Sequence, residues 1–185
     1  MLTGCATSVT GEAEPSHGPA AAAVATTLPF IPTISGRTNE RNDGTSFEPC
    51  TAYTSEELSL IGVVPNTASD AAYSDSPNYR GCHWSSGSGR YAMFSQTVGN
   101  TESLVRYKQK YADRPWQTDR TVNGRTVAMS IDPPSNGCFT AFSSQRGIVI
   151  TTVLSPGKPN PEPDYQTECE MALTFTELAT RKAPR

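Results

Sequence analysis

Five cysteines, two histidines and a scatter of carboxylates are the residues of this chain that could carry chemistry. The cysteines, Cys5, Cys50, Cys82, Cys138 and Cys169, stand far apart. Structural zinc sites draw their thiolates from close pairs spaced C-x₂₋₄-C, and the chain contains no such pair. Thiol–disulfide exchange uses C-x-x-C with a thiol of low pKa, and that spacing is missing too. Disulfide bonding is the chemistry that remains, and an odd count in a secreted chain leaves one cysteine for another purpose.

Cys5 is the odd one. It closes Met1-Leu2-Thr3-Gly4-Cys5, and Leu-Thr-Gly-Cys resembles the bacterial lipobox, where small residues precede a cysteine that is acylated and becomes the mature N-terminus. A lipid on Cys5 would anchor the chain to a membrane. Signal peptides need a basic n-region and an apolar stretch of about 7–15 residues. The leader is therefore expected to begin upstream of Met1 or to have been removed. Two alternatives compete: a chance tetrapeptide in a cytosolic protein, or an apolar leader at residues 20–34. The second is opposed by Glu12 and Glu14 ahead of it and by the lack of any Lys or Arg before Arg37.

The other four cysteines can pair in three ways. Sequential pairing, Cys50 with Cys82 and Cys138 with Cys169, is the expected one. Each interval starts or ends at a predicted element, so it ties the first helix to the first strand and the late sheet to the last helix. In the chain-entropy account a loop of about 30 residues is worth roughly 3–4 kcal/mol.

The remaining polar residues form no recognisable constellation. His17 lies in a linker and reads as solvated. His83 stands between Cys82 and Trp84 in a predicted strand, so its side chain points to the face opposite both; a surface or structural role is expected. Glu56 and Glu57 are adjacent in a helix cap and cannot face one another. Asp70, Asp75 and Asn78 lack the order of an EF-hand. G-x-S-x-G, the P-loop, G-x-G-x-x-G and H-E-x-x-H do not occur, and Gly87-Ser88-Gly89 reads as hairpin material. Neither an enzyme nor a cofactor nor a metal site is expected. Trp84 reads as core. Tyr73, Tyr79 and Trp116 are the candidate partner contacts, since loop aromatics can anchor a ligand or protein; the alternative is that they fold back on the domain.

The elements that position these residues follow from pattern. Residues 1–5 are the lipobox remnant. Residues 6–46, rich in Ala, Thr, Pro and Gly, bury too little apolar surface to order themselves; as a flexible tether of about 40 residues they would span on the order of 35 Å. A single domain is expected over 47–181, with a short tail at 182–185. Thr54-Ser55-Glu56-Glu57 is a capping box for a short helix that Gly62 stops. Residues 65–81 read as a polar loop. Gly81–Ser85 and Arg90–Thr97 read as strands joined by a Ser/Gly turn. Asn100 or Thr101 caps a helix to about Ala112. Asn123-Gly124 marks a hairpin. Cys138–Ser143 and Ile148–Leu154 form a further strand pair, the latter the most β-prone stretch of the chain. Asp164 caps a last helix to about Arg181. The pattern predicts an α+β fold: an antiparallel sheet of about five strands with three helices packed on it and two disulfides.

Composition narrows the partners. The net charge is −3, and nucleic acid usually needs a concentrated basic face, so none is expected as a partner. No run of about 18 apolar residues exists to form a membrane-spanning helix.

Glu48-Pro49-Cys50, Glu57-Leu58, Ile61-Gly62 and Gly81-Cys82-His83-Trp84, followed by Cys138 and Cys169, resemble a domain of small actinobacterial cell-envelope lipoproteins across residues 47–180. That resemblance implies a lipid anchor on the outer face of the cytoplasmic membrane and structural cysteines, and it carries over no catalytic residue. Its implied role is a binding or accessory module serving an envelope protein complex or a cell-wall component. A carrier of a lipid or small molecule in an apolar cavity is the first alternative, and a hydrolase with an unrecognised site the second.

Overall fold

The computed structural model describes residues 1, 34–87, 93–132, 137–155 and 165–185. Cys5, most of the expected tether, the end of the Ser/Gly turn and Asp164 lie outside the described residues.

Helix α1 (Ser55–Leu60) starts where the capping box places it: the Thr54 hydroxyl accepts from the Glu57 amide, and the Glu57 carboxylate accepts from the Thr54 amide. Strands β1 (Val63–Asp70), β2 (Arg80–Ser86) and β3 (Met93–Asn100) follow, then helix α2 (Leu104–Lys110). Strands β4 (Arg120–Val122), β5 (Arg125–Asp132), β6 (Gly137–Ser144) and β7 (Gly147–Leu154) precede helix α3 (Gln166–Lys182). The strands form one antiparallel sheet in the order β1-β2-β3-β7-β6-β5-β4. The class is α+β with three helices, as expected, but the sheet has seven strands rather than about five.

The unexpected strand is β1, inside the stretch read as a polar loop. Only Val63 of its residues is fully buried, so it carries little apolar alternation. Pro65 also argued against a strand, yet β1 is an edge, where proline is tolerated. Its pairing with β2 shifts register between Val64 and Ser69. A second difference concerns α2. Its N-cap is Ser103, whose hydroxyl accepts from the Arg106 amide, rather than Asn100 or Thr101. The Asn100 side chain instead holds the incoming chain, accepting from the Gly44 amide and donating to the Glu40 carbonyl and the Asp43 carboxylate.

That incoming chain is packed against the domain. Arg37, Asn42 and Thr45 are buried, so the folded body reaches back into the segment expected to be tether. Arg37 ties it down, donating to Glu48 at 2.6 and 3.1 Å and to Asp70 at 2.8 Å. Arg80 of β2 meets the same Glu48 at 2.7 Å. The composition of this segment is polar because its anchors are ion pairs and backbone hydrogen bonds.

Both disulfides join the partners expected from spacing, Cys50–Cys82 and Cys138–Cys169. All four cysteines belong to the core cluster that α3 helps to cover. Trp84, Phe94, Phe142 and Phe175 fill that cluster, each fully buried, with Phe175 of α3 edge-on to Trp84 and Phe94. A buried polar row crosses it: Tyr53 donates to Gln96, and Gln96 donates to Thr151 at 3.0 Å. Buried polar groups need such partners.

Candidate functional site

Strand alternation sends the neighbours of these core residues to the other face. Across β2, β3, β7 and β6 the register aligns His83, Ser95, Thr152 and Phe139 in one row. The next row holds Ser85, Met93 and Leu154. Helix α2 covers only part of this face: Leu104 and Tyr107 pack on Ala128, Ala141, Ile148 and Ile150. The uncovered part is a groove of about 510 Å³, within the range of small-molecule sites.

Residues 71–79, between β1 and β2, form one wall of the groove. Tyr73 is 89% exposed and stands beside His83, with its hydroxyl 3.3 Å from Nε2 and the ring centroids 6.1 Å apart. Tyr79 closes the end nearest α2, where its hydroxyl lies 2.9 Å from that of Tyr111. Burial, and then the hydrogen bond to Tyr111, holds the Tyr79 phenol well above its ordinary pKa.

His83 is the histidine among the described residues that line the groove. Burial lowers its pKa below 6.5, and the Asp70 carboxylate only partly opposes this. Asp70 is itself engaged, accepting from Arg37 and from the Ala72 amide. Nδ1 of His83 is buried and has no hydrogen-bond partner among the described residues. Around neutral pH the groove therefore presents a neutral imidazole, the hydroxyls of Ser95, Thr97 and Thr152, and apolar surface from Met93, Phe139 and Leu154. The described residues that line it include no Asp, Glu, Lys or Arg.

Family comparison adds a classification. A family profile described as a protein of unknown function (DUF3558) matches residues 1–182. The chain belongs to that family. No curated protein and no solved structure gives a significant match. The DUF3558 match takes in the N-terminal segment as well as the sheet, so the Arg37 anchor and the groove fall within one family unit.

Of the candidate contact residues, the structure brings Tyr73 and Tyr79 together in the DUF3558 groove and leaves Trp116 outside it. Trp116 packs beneath α2, with its indole N–H donating to the Tyr111 carbonyl at 2.8 Å and its ring edge-on to Tyr107. The fold-back alternative describes Trp116. His83 does point away from Cys82 and Trp84, as alternation requires, but it points into the groove. Sequence reading did not single out Ser95, Thr97, Thr152, Met93, Phe139 or Leu154. Their signal was present as the outward positions of amphipathic strands, and only the sheet order reveals that they adjoin.

Proposed function

We propose that this DUF3558 protein is a non-catalytic binding module of the cell envelope, anchored by a lipid on Cys5 at the outer face of the cytoplasmic membrane, and that it binds through the groove on the open sheet face. The observation that carries this reading is the groove itself: a concave, largely apolar surface in which the exposed Tyr73 of the β1–β2 connection stands beside strands that carry the inward hydroxyls of Ser95, Thr97 and Thr152. The two disulfides support an extracytoplasmic site, because such bonds persist in oxidising compartments. Binding is favoured over catalysis by the geometry at His83. A general base is normally oriented through its second ring nitrogen, and Nδ1 has no such partner among the described residues. The carrier alternative wanted an apolar cavity between sheet and helices; Trp84, Phe94, Phe142 and Phe175 fill the layer under α3, and the space left is on the α2 side, where Leu104, Val105 and Thr126 line a second cavity of about 510 Å³.

Two measurements test the parts separately. Cys5→Ala, expressed with a complete leader, should move the protein from the membrane fraction to the soluble fraction; unchanged membrane retention sinks the anchor. Thr152→Arg places a long cation in the floor of the groove. A molecule co-purifying stoichiometrically with the native protein in mild detergent should be lost from this variant. Its retention would move the binding site elsewhere.

A further inference from the structure

Taking the groove as the binding site, we infer that its ligand is an uncharged saccharide, held with one face of a sugar ring against Tyr73 and its hydroxyls against the His83–Ser95–Thr152 row. The inference rests on that functional reading and specifies the chemistry of the occupant.

Charge makes the first selection. An ionised ligand group leaving water needs a counter-charge or a dense set of hydrogen bonds, and the described lining supplies no formal charge. Asp70, the carboxylate whose charge acts on His83, is already paired with Arg37 at 2.8 Å. The His83 imidazole is disfavoured as a cation by its burial.

Hydrogen-bonding pattern makes the second. His83, Ser95 and Thr152 are directly opposed in register across three adjacent strands, and neighbouring strands are about 4.8 Å apart. The row therefore offers groups that can each donate or accept, at a spacing comparable to that between alternate hydroxyls of a pyranose rather than adjacent ones. A purely apolar ligand would strip water from these groups and return nothing. Nδ1 of His83 is enclosed, so the ring meets the groove through its Nε2 edge, beside the Tyr73 hydroxyl.

Aromatic geometry makes the third. Tyr73 is the most exposed aromatic side chain of the described residues, at 89%. Its ring is steadied by His83, through the hydroxyl contact and the approach of the two rings. Sugar rings present a hydroxylated rim and an apolar C–H face, and an exposed tyrosine next to a polar row matches both.

The test uses the oxidised 185-residue chain and ¹H–¹⁵N correlation spectra. The probes are linear hexaoses of glucose, mannose and galactose, the acidic hexamer of galacturonate, and the neutral apolar dye N-phenyl-1-naphthylamine. A neutral hexaose should shift the resonances of Ser95, Thr97 and Thr152, and Tyr73→Ala, which removes an exposed ring, should weaken that binding roughly three- to tenfold. Thr152→Val keeps the shape and removes the hydroxyl, and it should weaken binding without changing the melting temperature. Groove shifts caused only by galacturonate or only by the dye would overturn the saccharide inference while keeping the groove as a binding site. No groove shift with any probe would overturn both.

Discussion

The Tyr79 ring rests on Gly99: a Cβ at position 99 would meet its Cδ1 and Cε1 atoms at 2.5 Å. With its hydroxyl on Tyr111, Tyr79 fixes one end of the groove wall to β3 and to α2 at once. Gly99→Ala forces the ring off the sheet, and overpacking of this kind costs about 1–3 kcal/mol. Tyr79→Phe removes only the hydroxyl contact and should cost about 0.5–1.5 kcal/mol. Thermal unfolding of the two variants checks the order. A melting temperature for Gly99→Ala at or above that of Tyr79→Phe would show that the ring can step aside freely.

Glu48 is the hinge of the N-terminal anchor, because Arg37 and Arg80 both converge on its Oε2, at 2.6 and 2.7 Å. Burial pushes its pKa up, but the hydrogen bond and charge of Arg37, then the charge of Arg80, outweigh this and hold it below 4.5. Glu48→Gln leaves two buried guanidinium groups, Arg37 with Asp70 as its remaining ion-pair partner and Arg80 with the charge of Asp43. Removing one partner of a buried pair costs about 3–5 kcal/mol. Glu48 is itself 24% exposed, so about 3 kcal/mol is expected. The lowered pKa also sets a pH signature: its share of stability is complete above pH 4.5 and is lost as pH falls through the folded value. Urea unfolding across that range should show a slope in the native protein that flattens in Glu48→Gln.

The two disulfides secure different parts of the molecule. Cys138–Cys169 ties β6 to α3, whereas Cys50–Cys82 ties the segment before α1 to β2, with Arg37 Nη2 2.9 Å from Cys50 Sγ. Each double Cys→Ser variant should lose roughly 3 kcal/mol. Hydrogen exchange should separate them, with faster exchange in α3 for the Cys138/Cys169 variant and in residues 37–50 for the Cys50/Cys82 variant. A uniform acceleration in both would mean that the domain opens as one unit.

What the sequence made legible was local or periodic. The Thr54–Glu57 capping box needs residues three apart, and Asn123-Gly124 forms its turn with both φ angles positive, 49° and 72°. The pattern of β7 and the spacing of the cysteines carried the central strand and both bridges. What stayed hidden was set by contacts between distant residues. β1 is a strand because β2 lies beside it, and Arg37 is an anchor because Glu48 and Asp70 converge on it. The groove is the extreme case. His83, Ser95, Thr152 and Phe139 come from four strands, and β3 neighbours β7 rather than β4, an arrangement no short-range pattern announces. Tyr73 and Tyr79 were visible because loop aromatics are conspicuous without knowledge of topology.

His83 gives the groove a measurable titration. Its pKa lies below 6.5 because burial disfavours the imidazolium, with Asp70 opposing more weakly. The unfolded chain binds a proton near pH 6.5 while the folded chain does not, so stability from this group is complete above that pH. It declines as pH falls from 6.5 towards the folded value and is level below it. Nitrogen NMR of the imidazole should therefore show a midpoint below 6.5, and His83→Asn should remove the corresponding loss of stability. Occupation of the groove by an uncharged ligand buries the ring further and should move the midpoint lower still. A midpoint at or above 6.5 would mean that His83 is solvated or paired with a carboxylate, and the groove would then be cationic in mild acid rather than neutral.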